Sequence, residues 1–226
     1  MIGPIISARN LGRVFKVTNN GRKQDLHAVS ELDIELMPGR TLGVVGESGC
    51  GKTTLNRMLL LLDTPTEGEV LFKGQDCSTL SPEARREFRR AVQPVFQNPF
   101  SSLDPRMRVG QIIAEPLSTI AGMSRQDVKS RVGEVLESVG LRADDARRFP
   151  NEFSGGQRQR IAIARAIASK PQVLMLDEPV SSQDISIRAQ ILNILKDLQA
   201  EYGLGCVFIS HDLATVRFMA DDVIVM

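Results

Sequence analysis

Residues 41–54 read TLGVVGESGCGKTT. Thr41 to Gly46 is a short, β-prone apolar run of the kind that forms a buried strand. It leads into a glycine-rich turn and then into a helix expected over Thr53 to Leu62, apolar nearly all round and therefore buried. Within the turn, Gly46, four residues, Gly51, Lys52 and Thr53 match the phosphate-loop pattern. Strand, loop and helix in that order let backbone N–H groups and a helix N-terminus converge on phosphate. Gly46, Gly49 and Gly51 allow the backbone to curl around the anion, with Glu47, Ser48, Cys50 and Thr54 completing the cradle. Lys52 is placed to meet the β- and γ-phosphates, and the Thr53 hydroxyl to ligate Mg²⁺.

Outward from this loop, strand-like and helix-like segments alternate, which argues for an α/β chain with a mainly parallel sheet. Val173 to Leu176 and Cys206 to Ile209 are β-prone runs, and Ile187, Ile191, Ile194, Leu195 and Leu198 carry helical spacing between them. The first of these runs ends in Asp177 and Glu178. Beside a phosphate loop, Asp177 suits the Mg²⁺ shell, and Glu178 suits orientation and deprotonation of an attacking water.

The first ~40 residues and Glu69 to Lys73 read as antiparallel strands, with Pro38-Gly39 and Thr66-Glu67-Gly68 as turns. From about Pro105 to Ala168 the pattern changes to amphipathic helices, such as Asp127 to Val139, with no convincing strand between them. The expected organisation is a β subdomain plus α/β core over 1–97 and 169–226, with a helical subdomain inserted at about 98–168.

Composition narrows the function classes. The 28 Lys and Arg against 27 Asp and Glu leave a formal charge of +1, so no global field draws the chain to a polyanion. Aromatics are 4% and Trp is absent, which disfavours a stacking platform for single-stranded nucleic acid. The arginines of SPEARREFRR, Ser81 to Arg90, interleave with Glu83 and Glu87 as on a solvated helix face. No window approaches the ~20 apolar residues of a membrane span, and MIGPIISARN lacks the pattern of a signal peptide. A cytoplasmic location follows as the expectation. Cys50, Cys77 and Cys206 are scattered without metal-ligand spacing and read as reduced thiols.

NEFSGGQRQR, Asn151 to Arg160, sets Ser154-Gly155-Gly156-Gln157 before a helix carrying Ile161, Ala164, Ile167 and Ala168. Ser154 suits an N-cap and the two glycines allow close backbone approach, which makes a second anion-binding helix N-terminus. Together with the phosphate loop and Asp177-Glu178, this order of elements resembles the ATP-binding cassette (ABC) family over essentially the whole chain. The resemblance implies a RecA-like P-loop NTPase core with an N-terminal antiparallel β subdomain and an inserted helical subdomain. It makes Ser154 to Gln157 the signature motif and Gln97 the glutamine-loop residue, acting in catalysis and on the metal. Ser181-Ser182-Gln183-Asp184 falls at the D-loop, His211 in FISHDL at the switch histidine, and Phe15 where an aromatic stacks on adenine.

FQNPFSSLDPRMRVGQIIAEPL (Phe96 to Leu117), the cysteine of GESGCGKTT and DEPVSSQDISIRAQILNILKDLQ (Asp177 to Gln199) are most similar to ATPase subunits of bacterial dipeptide, oligopeptide and nickel importers. The likeness implies an ATPase in which two cassettes, identical or homologous, meet head to tail around two MgATP. Closure would drive two membrane permease subunits docked near Gln97 and the Phe100 to Arg108 surface. An extracytoplasmic solute-binding protein would deliver the cargo, and no nucleic acid is involved. The chain would work peripherally on the cytoplasmic face of the membrane.

A soluble cassette ATPase acting on nucleic acid or the ribosome is the alternative. It would bring paired cassettes in one chain, a coiled-coil insertion or a basic extension, none of which is present. Three departures from the family stand out. Gln183 replaces the usual leucine, Pro94 lies in the strand before Gln97 and predicts a bulge or an edge position, and the sequence stops at VIVM where a hairpin and further helices are expected.

Overall fold

Ile6 and Ala8 on one strand, Ile34 and Leu36 on a second, and Val70 and Phe72 on a third sit at every second position on one shared face and are all buried. That period of two builds an antiparallel sheet in the order β2-β1-β4-β5. Its strands are β1 (Ile6–Asn19), β2 (Arg22–Leu36), β4 (Glu67–Phe72) and β5 (Gln75–Asp76). Ile6 lies opposite Leu36 on one side and Phe72 on the other. The computed structural model describes residues 3–19, 22–97, 102–120, 123–181 and 183–226. The chain folds as two compact units, residues 1–88 with 205–226, and residues 89–204.

In the first unit, β3 (Thr41–Val45) pairs in parallel with β8 (Gly205–Ser210) and with β9 (Asp222–Val225). β3 and β8 are buried throughout, as continuous apolar strands in parallel sheets are. The next segments are α1 (Lys52–Leu59) and α2 (Pro82–Ala91), the latter crossing the boundary between the units. The unit ends its helical complement with α7 (Leu213–Met219). A Cβ on Gly43 would lie 2.7 Å from Val216 Cγ1, so α7 packs against β3 at a distance only glycine permits.

The second unit holds the parallel pair β6 (Val92–Val95) and β7 (Val173–Asp177) and, among the described residues and beyond the end of α2, four α-helices. These are α3 (Val109–Ile120), α4 (Arg125–Ser138), α5 (Gly155–Ala168) and α6 (Ile185–Tyr202). Among the described residues from 102 to 168 there is no strand, as the sequence pattern leads one to expect. Ile161, Ile163 and Ala164 of α5 and Ile191 of α6 are completely shielded from solvent and form the heart of this unit.

Two local expectations shift, and at Pro94 the edge position is the alternative that holds. The turn expected at Thr66-Glu67-Gly68 lies earlier, because β4 already begins at Glu67, where Gly12 of β1 pairs with it. α1 ends at Leu59 instead of Leu62 and is buried on one side only, with Arg57 exposed and tied to Asp63 by a 2.7 Å ion pair. At Pro94 there is no bulge: β6 keeps an unbroken register against β7, and Pro94 is tolerated because β6 is an edge strand. The Pro38-Gly39 turn forms as expected, with Gly39 in the left-handed region at φ 70°.

Candidate functional site

The phosphate loop lies in the first unit between β3 and α1. Gly49 and Gly51 have φ of 86° and 107°, a region that other residues enter only under strain. Gly51 is further fixed by packing, since any Cβ there would collide with the Ala28 carbonyl oxygen of β2. Gly46 is constrained too: a Cβ would come within 2.6 Å of Cys50 Sγ and of the Met226 carbonyl oxygen. Glu47, Ser48 and Gly49 are exposed, as is Thr53 on the first turn of α1, while Thr54 is half-buried.

Lys52 is buried, and its ammonium donates to the carbonyl oxygens of Gly46 at 2.8 Å and Glu47 at 2.7 Å. The side chain is thereby folded along the inside of its own loop, with Cys50 Sγ 3.7 Å from Nζ. Also in this unit, Phe15 lies opposite Leu26 in the β1–β2 pair, half-exposed, with the Arg13 guanidinium carbon 4.8 Å from its ring centre. His211 follows the last residue of β8 and is exposed, which excludes a core histidine. The next residue, Asp212, caps α7 by accepting from the Ala214 N–H at 2.9 Å.

The second unit carries the carboxylates. β7 ends at Asp177, half-buried, and Glu178 turns the chain with a φ of 46°, a left-handed conformation at a non-glycine residue. Gln97 Nε2 donates to Glu178 Oε2 at 3.1 Å and lies 3.4 Å from Ser181 Oγ. Ser181 folds back on the same turn, its N–H and its hydroxyl both reaching the Glu178 carbonyl oxygen, at 3.3 and 3.2 Å. Gln97, Glu178 and Ser181 thus form one polar group. Ser181 belongs to the four-residue D-loop stretch but was not among the expected site residues. Its signal is a serine three residues after the glutamate, the spacing at which a hydroxyl can close a turn.

Ser154 caps α5 in the reciprocal manner its sequence suggests: Gln157 N–H donates to Ser154 Oγ at 3.3 Å, and Ser154 N–H to Gln157 Oε1 at 3.0 Å. The two glycines differ. Gly155 is open enough for a Cβ, its nearest neighbours being the Gln183 carboxamide atoms at 3.6 and 3.7 Å, whereas a Cβ on Gly156 would come 2.5 Å from Ile187 Cγ2. Ile187 was not foreseen beyond its place in the apolar stripe of α6, because nothing in the sequence tells that it abuts Gly156, far earlier in the chain.

Ser182 and residues 98–101 lie outside the described residues, and with them Phe100, the first residue of the expected docking surface. Around the remainder, Arg165 Nη1 donates to the Ser102 carbonyl oxygen at 3.0 Å and Nη2 to Glu115 at 2.8 Å. Beside that pair lies a cavity of about 310 Å³ lined by Gln93, Val95, Phe96, Pro116 and Ala162 among others. Among the described residues there is no cluster of three or more potential metal ligands, and no helix is long and apolar enough to cross a membrane. All three cysteines are free thiols.

Comparison with known proteins agrees with this arrangement of motifs. The sequence pattern of the ABC transporter family matches residues 29–181. The chain is 48% identical over 225 residues to the di/tripeptide transport ATP-binding protein DppF of Pseudomonas aeruginosa, covering 98% of this chain and 69% of that one. It is 46% identical over 226 residues to the oligopeptide transport ATP-binding protein AppF of Bacillus subtilis, with 98% and 69% covered. A solved dimeric post-hydrolysis state of the ATP-binding cassette MJ0796, bound to ADP and Pi, superposes with a TM-score of 0.84 at 29% identity, over 98% of this chain and 94% of that one. On these grounds the chain belongs to the ABC transporter family.

Proposed function

We propose that this ATPase is the energising subunit of an importer for peptides or a related small solute, working at the cytoplasmic face of a membrane. Its relatives' names as peptide-transport ATP-binding proteins support the cargo class. The observation that carries the nucleotide chemistry is the phosphate loop, where a buried lysine lies along backbone carbonyls at the mouth of a helix. An arriving triphosphate offers that lysine a stronger partner than two carbonyls, because an ammonium facing an anion gains a charge–charge attraction that a neutral carbonyl oxygen lacks.

The assigned roles follow from the chemistry of each group. Backbone N–H groups of Gly46 to Thr54 hold the phosphates, Lys52 neutralises their charge and the half-exposed Phe15 ring receives the adenine face. Thr53 offers an exposed hydroxyl and Asp177 a carboxylate, hard oxygen donors of the kind magnesium takes. The bound ion would supply charge neutralisation at the phosphates. Gln97 donates its amide N–H to Glu178, which leaves its carbonyl oxygen as the group a cation would meet. Glu178 takes the proton of the attacking water, and His211 stands at an exposed strand end as a further polar contact. Ser154 to Gln157 read the nucleotide of a second cassette, identical or homologous.

One of the two membrane subunits docks on this chain near Gln97, at the cavity beside Phe96, Glu115 and Arg165, where an exposed aromatic ring and an ion pair surround a concavity suited to a helix end. A solute-binding protein outside the membrane completes the system. Reconstitution with the membrane subunits provides the test: ATP hydrolysis should rise when a peptide-loaded binding protein is added. An assembled complex whose hydrolysis ignores every peptide-loaded receptor would exclude the peptide class.

A further inference from the structure

Gly156 has no room for a side chain, and the obstacle is an identifiable group. A Cβ on Gly156 would come 2.5 Å from Ile187 Cγ2 and 3.7 Å from Ile187 Cδ1, with Gln183 Oε1 at 3.8 Å. Ile187 sits in the first turn of α6, half-buried, three residues beyond the Asp184 cap position. Gly156 itself is buried, whereas Ser154 and Gln157 around it are exposed. The glycine is therefore dictated from behind, by packing against α6.

The same short segment is tied to the carboxylate turn. Ser181 closes back on the Glu178 carbonyl, Gln183 N–H donates to the Val180 carbonyl at 3.2 Å, and the Gln183 carboxamide lies against Gly155. We propose that Ile187, with Gln183 beside it, is a positioning residue that fixes the distance between the Ser154–Gly156 turn and the nucleotide that turn reads. The proposal rests on the reading of that turn as nucleotide-contacting. It assigns Ile187 no contact with ATP.

Relieving a 2.5 Å approach to an ordinary 3.5 Å contact displaces the turn by about 1 Å. A misplacement of that size costs on the order of 10²-fold in rate. ATP hydrolysis by the assembled transporter should therefore fall by ~10²-fold in kcat/KM for Gly156→Ala. The pair Gly156→Ala with Ile187→Ala should recover most of that loss, because the second change removes the atom in the way. Ile187→Ala alone keeps the fold and lets the turn drift, raising KM for ATP by ~3- to 10-fold at unchanged kcat, the signature of lost binding without lost chemistry.

Absence of recovery in the double variant overturns the proposal. Should Gly156→Ala fail to fold, Ile187→Ala decides: an unchanged KM overturns the proposal, and a raised KM with unchanged kcat supports it. A Gly156→Ala transporter as active as the parent would show instead that the turn does not meet nucleotide, and both the underlying reading and the proposal would fall.

Discussion

Phe15 is proposed to receive the adenine face. Its ring is half-exposed and already attracts the Arg13 guanidinium 4.8 Å away, so it offers a polarisable face that costs little to uncover. Stacking of a base on an aromatic ring is worth ~1–3 kcal/mol, so Phe15→Ala should weaken ATP binding by about 5- to 150-fold. Equilibrium titration with a fluorescent ATP analogue measures it, and an unchanged affinity would place adenine elsewhere.

The cysteines divide just as clearly. Burial pushes the Cys77 thiol up to about 11, the neighbouring Asp76 charge adding to the effect, and Cys206 is buried in β8. Cys50 is only partly covered, in the phosphate loop. Native alkylation near pH 8 should modify Cys50 alone, and MgATP should slow it, because the nucleotide would occupy the same cradle. Equal labelling rates with and without nucleotide would count against that placement.

At the scale of an element, α5 is held at both ends by side chains. Its N-terminus uses its own Ser154 and Gln157, a pairing written in consecutive sequence and therefore legible beforehand. Its C-terminus depends on Arg131 of α4: Nε donates to the Ala168 carbonyl at 3.1 Å and Nη2 to that of Ile167 at 3.0 Å. Arg131 is buried, and Nη1 reaches Glu134 at 3.3 Å. Nothing local announces such a contact, since it joins residues 37 apart.

Arg131→Met keeps the bulk but takes the guanidinium donor from the Ala168 carbonyl, while the Ile167 carbonyl keeps the Lys170 N–H at 3.0 Å, and should destabilise the protein by ~1–3 kcal/mol. Chemical denaturation would register this as a lower midpoint at unchanged slope. An unchanged midpoint would mean that water caps the helix equally well. The displaced turn at Glu67 and the early end of α1 have the same origin as the hidden Arg131 contact. Glu67 is recruited by its pairing with Gly12, and Arg57 turns outward to Asp63, both long-range or side-chain choices that local propensity does not contain.

For the whole molecule, strands and helices alternate with enough regularity that a mainly parallel sheet and the strand-free stretch around α3 and α4 could be anticipated, though not the pairings β3–β8 and β6–β7 themselves. The phosphate loop and the capped turn at Ser154 were legible because each is complete within ten residues. The Gln97–Glu178 contact spans 81 residues and was accessible only through likeness to a family.

Glu178→Gln tests how the parts act together. The amide is nearly isosteric yet cannot accept a proton, and loss of a general base costs ~10²- to 10⁴-fold in rate. With the second cassette present, size exclusion in MgATP should show a persistent dimer for Glu178→Gln and mostly monomer for the parent after turnover. Hydrolysis within a few-fold of the parent would assign the base elsewhere.

The left-handed backbone at Glu178 has a consequence for how such a protein can be improved. A φ of 46° at a residue with a Cβ costs ~1–2 kcal/mol, which glycine would release. Glu178→Gly should therefore melt higher while hydrolysing ~10²- to 10⁴-fold more slowly, and a laboratory screen rewarding heat resistance alone would drift toward inert chains. The most stable sequence and the working sequence would then differ at the residue proposed to take the water's proton, a trade-off typical of functional sites.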